Sequence, residues 1–543
     1  MSPVKRETWQ EKAEAKRAEV LSNIPQAWVL GPKEIKELRA DILGAPAKLL
    51  TPEELVITEI ATATELSKKL ANGELKCLDV AKAFMHRAAI ATQLTNCGTE
   101  IFFERGMERA KYLDDYFKEN KKPIGPFHGL PISIKDSFNV EGIDTTLGYT
   151  KRIGNAVCLK QSSMVDMLHE LGAVLYIKTN IPQTMMTADS ENNIFGRTLN
   201  PNNPALTAGG SSGGEGAIVK QRGSILGVGT DIAGSIRIPS ACCHTYGFKP
   251  SNYRLPYYTK DSVDDSFCFQ IDVSSGPIAN SFEDLKFFYD TMVEKKPWKY
   301  DVTCSLLPPI KAVPSEQLRI GIIYEDPSLP VHTPVKHSLR SAAVKLEEAG
   351  HKVVPLSVFP CFENAWKTAL SIYTIKVEGE FDSLEPLFEA EEPLIASLSQ
   401  AGIEHYVPTP PDTLRETVAC LREAQSFSQK WHDIFLENEL DVLITPPAPS
   451  TAPPHDTYGI APYTAMWNLV DYPAIVVPYE KAEIVDDDKF PRLPPHLVGI
   501  FAHYVPEDYK DGLTSVQIVS PKGTDESLLA AAELIDKVLN ERK

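Results

Sequence analysis

Two serines sit in glycine-rich turns 24 residues apart. Ser211 lies in Thr207-Ala-Gly-Gly-Ser-Ser-Gly-Gly-Glu-Gly216, and Ser235 in Gly229-Thr-Asp-Ile-Ala-Gly-Ser-Ile-Arg-Ile-Pro239. Glycine has no Cβ to keep the backbone away from a ligand, so a serine in such a turn has neighbouring amides available for an oxyanion. A serine hydroxyl still needs a base before it can attack a carbonyl. Lys135, which closes the apolar run Gly129-Leu-Pro-Ile-Ser-Ile-Lys135, is a candidate. A free lysine has a pKa near 10.4 and is almost wholly charged at neutral pH. Burial disfavours the ammonium and lowers that value, and Ile132, Ile134 and Phe138 supply apolar neighbours. The plain alternative is a strand-end lysine that reaches solvent.

Taken in order and spacing, the three segments resemble the amidase signature family, which hydrolyses amides with a Ser–Ser–Lys triad. The resemblance runs from about Glu54 to Lys249 and continues more weakly to the C-terminus. It passes through Arg87-Ala-Ala-Ile-Ala-Thr-Gln-Leu-Thr-Asn-Cys97, Gly125-Pro-Phe-His-Gly-Leu-Pro-Ile-Ser-Ile-Lys135 and Asn193-Ile-Phe-Gly-Arg-Thr-Leu-Asn-Pro201. Within the family it is most similar to the fungal acetamidases. The resemblance implies that Ser235 is the nucleophile and that Ser211, after a cis peptide from Gly210, carries the proton to Lys135. It selects Ser211 over Ser212, which becomes a supporting hydrogen-bond partner. The amides of Ile232, Ala233, Gly234 and Ser235 are then the expected oxyanion donors, with Asp231 and Arg237 bracing the turn. Met185 and Thr187 match positions that line the acyl or leaving-group side, although a methionine there also fits a core role. Neither a metal nor an organic cofactor is implied, and the favoured substrates are small or aryl-acyl primary amides.

The chain departs from the family at Ala233, where glycine is usual; a left-handed backbone there would cost alanine about 1 kcal/mol or more. Glycines usual near a C-terminal strand are replaced by Ser515 and Ser520 in Leu513-Thr-Ser-Val-Gln-Ile-Val-Ser-Pro521. Rival readings remain. Gly209-Gly-Ser-Ser-Gly213 also satisfies the nucleophile elbow of α/β hydrolases, but His432 and His455 lie in no matching motif, and the second serine turn is left without a purpose. An amidotransferase subunit, or an inactive family member that binds an amide, would also carry these motifs.

The elements that must position these residues follow from periodicity. Residues 7–22 read as a helix capped by Thr8, followed by helices over 62–72 and 78–95. From Pro131, short apolar strands (132–134, 173–177, 225–228) alternate with helices (161–171, 213–221). Strands at 318–324, 353–356, 441–445 and 474–478 and a helix at 335–349 continue the alternation. The expected fold is α/β, a large twisted mixed sheet covered by helices on both faces. A helical extension over 1–52 precedes a catalytic domain over 53–543. The span 300–316, with Pro308, Pro309 and Pro314, reads as a surface crossover, and the proline-rich run 445–454 as a loop.

Bulk properties narrow the partners. The 543 residues carry a net charge of −18, and no basic cluster suits nucleic acid. No signal-peptide-like apolar core opens the chain, and no apolar run has membrane-spanning length, so a cytoplasmic protein acting on a small amide, without membrane contact, is expected. The nine cysteines include no CxxC pair, which fits reduced thiols rather than zinc or disulfides. A homodimer is left open.

Overall fold

The computed structural model describes residues 7–155, 157–257, 271–312, 315–375, 384–398, 410–481, 505–509 and 512–541. These fall into two compact units. The first takes residues up to 228 together with 257 and 384–398, and the second takes the rest.

The first unit holds β1 (Gly98–Ile101), β2 (Pro131–Lys135), β3 (Val174–Thr179), the small antiparallel pair β4 (Glu191–Asn192) and β5 (Gly196–Arg197), and the start of β6 (Leu226–Asp231). Its strand order is β1-β3-β2-β6, with β1 antiparallel to β3 and the other neighbours parallel. Every residue of β2 and β3 is buried, as expected of parallel strands covered on both faces. The register sets Lys135 opposite Thr179, and Ser133 opposite Gly227 of β6. The helix Phe103–Asn120 packs on β3, and the helix Gly213–Lys220 on β2 and β3. That second helix contains Gly213, Gly214 and Gly216, poor helix formers, and is buried along Gly213–Val219. Packing, not propensity, makes it helical.

The N-terminal residues belong to this first unit. Thr8 caps the helix Trp9–Ser22 in a capping box, with Glu11 N donating to Thr8 Oγ1 at 3.2 Å and Thr8 N to Glu11 Oε2 at 2.9 Å. The expected helices over 62–72 and 78–95 occur as Ala63–Ala71 and Cys77–Thr95. The latter ends where Asn96 turns left-handed at φ 54°, a conformation asparagine tolerates.

The second unit holds β7 (Tyr246–Lys249), β8 (Ser274–Ala279), β9 (Arg319–Ile322), β10 (Lys352–Pro355), β11 (Val442–Thr445), β12 (Ala474–Lys481) and β13 (Leu513–Val519). They run in the order β8-β7-β12-β13-β11-β9-β10. Pairings from β8 to β11 are antiparallel, and β11, β9 and β10 are parallel. The α/β class with mixed strand directions therefore holds. An aromatic core gathers Phe362, Trp431, Tyr463 and Trp467, with the two tryptophan rings 4.9 Å apart. The helix Pro462–Leu469 that contributes to it is buried on every side, so no amphipathic stripe marks it in the sequence. The described part of 300–316 has no regular structure beyond a turn, and the 445–454 run is a loop after β11. Pro314 lies outside the described residues.

Candidate active site

Lys135 is the last residue of β2 and is 1% exposed. Its Nζ donates to Ser211 Oγ at 2.7 Å. Ser211 is itself buried and follows a cis peptide bond from Gly210. The turn around it is held from two sides. Thr207 Oγ1 donates to Asp189 Oδ1 at 2.8 Å and accepts from the Gly209 amide at 3.0 Å. Ser190 Oγ donates to Gly209 O at 2.9 Å and accepts from the Gly213 amide at 3.0 Å. Ser212 is fully buried at the N-cap of the helix that follows. This first-unit cluster is thus a buried amine on a buried hydroxyl, held by a backbone that cannot easily shift.

Met185 belongs to the same unit, in a turn where Thr184 and Met185 both take positive φ, 67° and 58°. It packs against the cluster of Leu147, Tyr149, Ile181 and Leu387, the ordinary core role for methionine. Its neighbour Thr187 accepts from Ser397 Oγ at 3.3 Å and donates to Asp189 O at 3.0 Å. Asp189 thereby links this segment to the Ser211 turn.

In the second unit, Ser235 lies on the turn between β6 and the helix Arg237–Cys243 and is 8% exposed. Asp231 organises that turn. Its Oδ1 accepts from the Gly234 amide at 2.8 Å and its Oδ2 from the Ile236 amide at 3.1 Å. Arg237 closes a buried two-point pair on the same carboxylate, Nη2 to Oδ1 at 2.9 Å and Nε to Oδ2 at 3.0 Å. The guanidinium also donates to Thr464 O, Gln517 Oε1 and Asn468 Oδ1, which leaves it well satisfied. Burial by itself would raise the Asp231 pKa, but Arg237, with help from Lys249 and Asn468, holds it well below the usual carboxylate range. Bracing of the turn by Asp231 and Arg237 is what the geometry displays.

The expected oxyanion donors divide. The Gly234 amide, counted among them from the sequence, is engaged by Asp231, which corrects that expectation: a carboxylate already occupies this donor. The amides of Ile232, Ala233 and Ser235 meet no acceptor among the described residues, and Ile232 and Ala233 are only partly buried. Their carbonyls point elsewhere, Ile232 O accepting from Tyr373 Oη at 2.5 Å and Ala233 O from Thr464 Oγ1 at 2.7 Å. Positive φ falls on Gly234, at 130°, and not on Ala233. The alanine that departs from the family pattern therefore sits without backbone strain. A Cβ on Gly234 would lie 2.2 Å from Thr464 Oγ1, so glycine is required there on both counts.

Lys135 and Ser211 are thus brought together in one unit, and Ser235 with Ile232, Ala233 and Gly234 in the other. Among the described residues no group of three His, Cys, Asp or Glu side chains is arranged to hold a metal ion. Several bracing residues escape a reading of the motifs alone. Thr207 lies inside the first serine motif, but Thr464, Asn468 and Gln517 stand 227 to 280 residues beyond Arg237, and no local signal marks them.

Comparison with known proteins agrees with this geometry. The Amidase family model matches residues 79–529. An "Amidase" of Gibberella moniliformis is 36% identical over 98% of this chain and 99% of its own length. An "Acetamidase" of Emericella nidulans is 35% identical, covering 98% of each. Among solved structures, one titled "Fatty acid amide hydrolase" superposes with a TM-score of 0.90 at 31% identity, over 98% of this chain and 95% of that one. Two glycine-framed serines, a buried lysine on one of them, a family match over most of the chain and a shared fold lead to one conclusion: the chain belongs to the amidase signature family and is an amide hydrolase.

Proposed function

We propose that the chain hydrolyses small or aryl-acyl primary carboxamides through an acyl-enzyme on Ser235. Ser235 Oγ attacks the carbonyl carbon while its proton passes to Ser211 Oγ, and the Ser211 proton to neutral Lys135. The tetrahedral oxyanion rests against the amides of Ile232, Ala233 and Ser235, each such donor being worth about 3–4 kcal/mol. Lys135 returns the proton through Ser211 to the leaving nitrogen, the C–N bond breaks and ammonia departs. Water then attacks the ester along the same relay and frees the carboxylate and Ser235. The observation that carries the reading is the 2.7 Å contact between Lys135 Nζ and Ser211 Oγ. With the amine neutral, the same contact accepts the Ser211 proton.

The substrate class is supported by relatives named for acetamide hydrolysis, among them the Emericella nidulans protein and an "Acetamidase" of Aspergillus oryzae at 34% identity. A cytoplasmic setting belongs to the proposal and is supported by eight free cysteines among the described residues. No described helix is long and apolar enough to cross a membrane. A serine-directed fluorophosphonate tests the mechanism: peptide mapping is expected to place the adduct on Ser235. An adduct on Ser211 or Ser212, or no adduct on an enzyme that turns over amides, overturns it. A panel of primary amides, anilides and esters tests the substrate class.

A further inference from the structure

Glu215 lies four residues after Ser211 and has no part in the proposed bond-making, yet it is fully buried. Its carboxyl group accepts from Ser133 Oγ at 2.5 Å and from Thr179 Oγ1 at 2.8 Å. Ser133 stands two residues before Lys135 on β2, and Thr179 is the register partner of Lys135 on β3. Glu215 itself rides on the helix Gly213–Lys220, which opens directly after Ser211 and Ser212. On the far side of β2, a Cβ at Gly227 of β6 would fall 2.1 Å from Glu215 Oε2. The lack of a side chain at Gly227 leaves the space this carboxyl group occupies. One acidic side chain therefore joins the strand that ends in Lys135, the strand beside it and the helix behind Ser211.

We propose that Glu215 is a positioning residue for the Lys135–Ser211 pair: its carboxyl group pins β2, β3 and the Ser211 helix in register, and its ionisation favours the ammonium form of Lys135. The inference rests on the reading of Lys135 as the base. Burial pushes the Glu215 carboxyl group up to about 8, against the opposing pull of the Ser133 and Thr179 hydroxyls and of Lys135. At neutral pH the group is mostly protonated, so Glu215 itself places little negative charge near Lys135. A carboxylate appearing beside it favours the charged amine. Cys97 and Tyr176 also interact electrostatically with Glu215. Burial pushes Cys97 up to about 11 and Tyr176 higher still, so both stay neutral through the active range.

The test is the pH profile of kcat in the full chain. Glu215→Gln keeps a neutral, hydrogen-bonding side chain of the same length. It is expected to fold and to retain kcat at pH 7 within about threefold, with the rising limb moved to lower pH by about one unit because no anion can form. Glu215→Ala removes the pin and is expected to lose at least about tenfold in kcat with KM little changed. Ser133→Ala, which withdraws a hydrogen bond from the anion, moves the limb in the same direction and decides the matter if Glu215→Gln does not fold. Lys135→Ala in the same assay separates the two ideas. If it leaves the limb in place, the reading of Lys135 as base fails. If it removes the limb while Glu215→Gln and Ser133→Ala leave it unmoved, the role of Glu215 alone is overturned.

Discussion

Asp231 and Arg237 form a fully buried two-point ion pair whose carboxylate also holds the amides on either side of Ser235. The pair lies six residues apart in sequence, across the turn it shapes. It couples the stability of the second unit to the conformation of the Ser235 turn.

Asp231→Ala is expected to destabilise the protein by about 3–5 kcal/mol, the usual cost of leaving one buried charge unpaired. Because Asp231 is held below its ordinary range in the folded state, its contribution is full above the unfolded value near 4. It is lost as pH falls from there. Urea unfolding at pH 7 and in the region of pH 3 checks both parts: the gap between wild type and Asp231→Ala narrows on acidification. A constant gap at both pH values contradicts the assignment.

Gly234→Ala is expected to abolish turnover and to lower Tm. The new methyl meets Thr464 Oγ1 at 2.2 Å and Cβ at 2.7 Å, at a φ of 130° that L side chains rarely adopt. Truncating the obstacle separates space from backbone strain. Gly234→Ala combined with Thr464→Gly, which removes both of these Thr464 atoms, recovers stability only in part relative to Thr464→Gly alone, since φ is unchanged. Full recovery would mean that the contact alone matters.

Lys135→Ala is expected to cut kcat by at least about 10²–10⁴-fold, the worth of general acid–base assistance. It leaves Ser235 and the free amides of its turn in place. Ser212→Ala, which removes a hydroxyl outside the proposed relay, costs far less. Steady-state kinetics on one amide decides between them, and near wild-type kcat in a folded Lys135→Ala protein rejects the relay.

Lys16→Met is expected to cost about 3–5 kcal/mol although residue 16 lies far from the motifs in sequence. Lys16 is 3% exposed, with Nζ 3.0 Å from Glu100 Oε1 and 3.1 Å from Asp144 Oδ2. Burial pushes Glu100 up to about 8 even with Lys16 beside it, so losing the lysine drives Glu100 further toward its neutral form and removes the cation 3.1 Å from Asp144. Thermal melts of Lys16→Met and of the exposed control Lys12→Met measure the difference. Equal Tm values would show that the N-terminal helix is not bound to the first unit through this ion pair.

The family and the candidate residues of the site were legible in the sequence because they are written locally. Glycine next to serine, and an apolar run that ends in lysine, are short-range patterns whose order and spacing are visible without a fold. The alternation of short apolar runs with helical stretches likewise foretold α/β layers, since β2 and β3 are buried on both faces and therefore read as continuous apolar segments. Three things required tertiary structure. The Gly234 amide was lost as an oxyanion donor because Asp231, three residues earlier, folds back onto it. The harmless fit of Ala233 depended on which residue of the turn takes positive φ, a property of the backbone that residue types do not fix. The partners of Arg237 on the helix Pro462–Leu469 and on β13, and the clasp of Glu215 across β2 and β3, come from strands and helices brought side by side. Buried polar groups must find hydrogen-bond partners wherever the fold supplies them. Sequence proximity says nothing of where that will be.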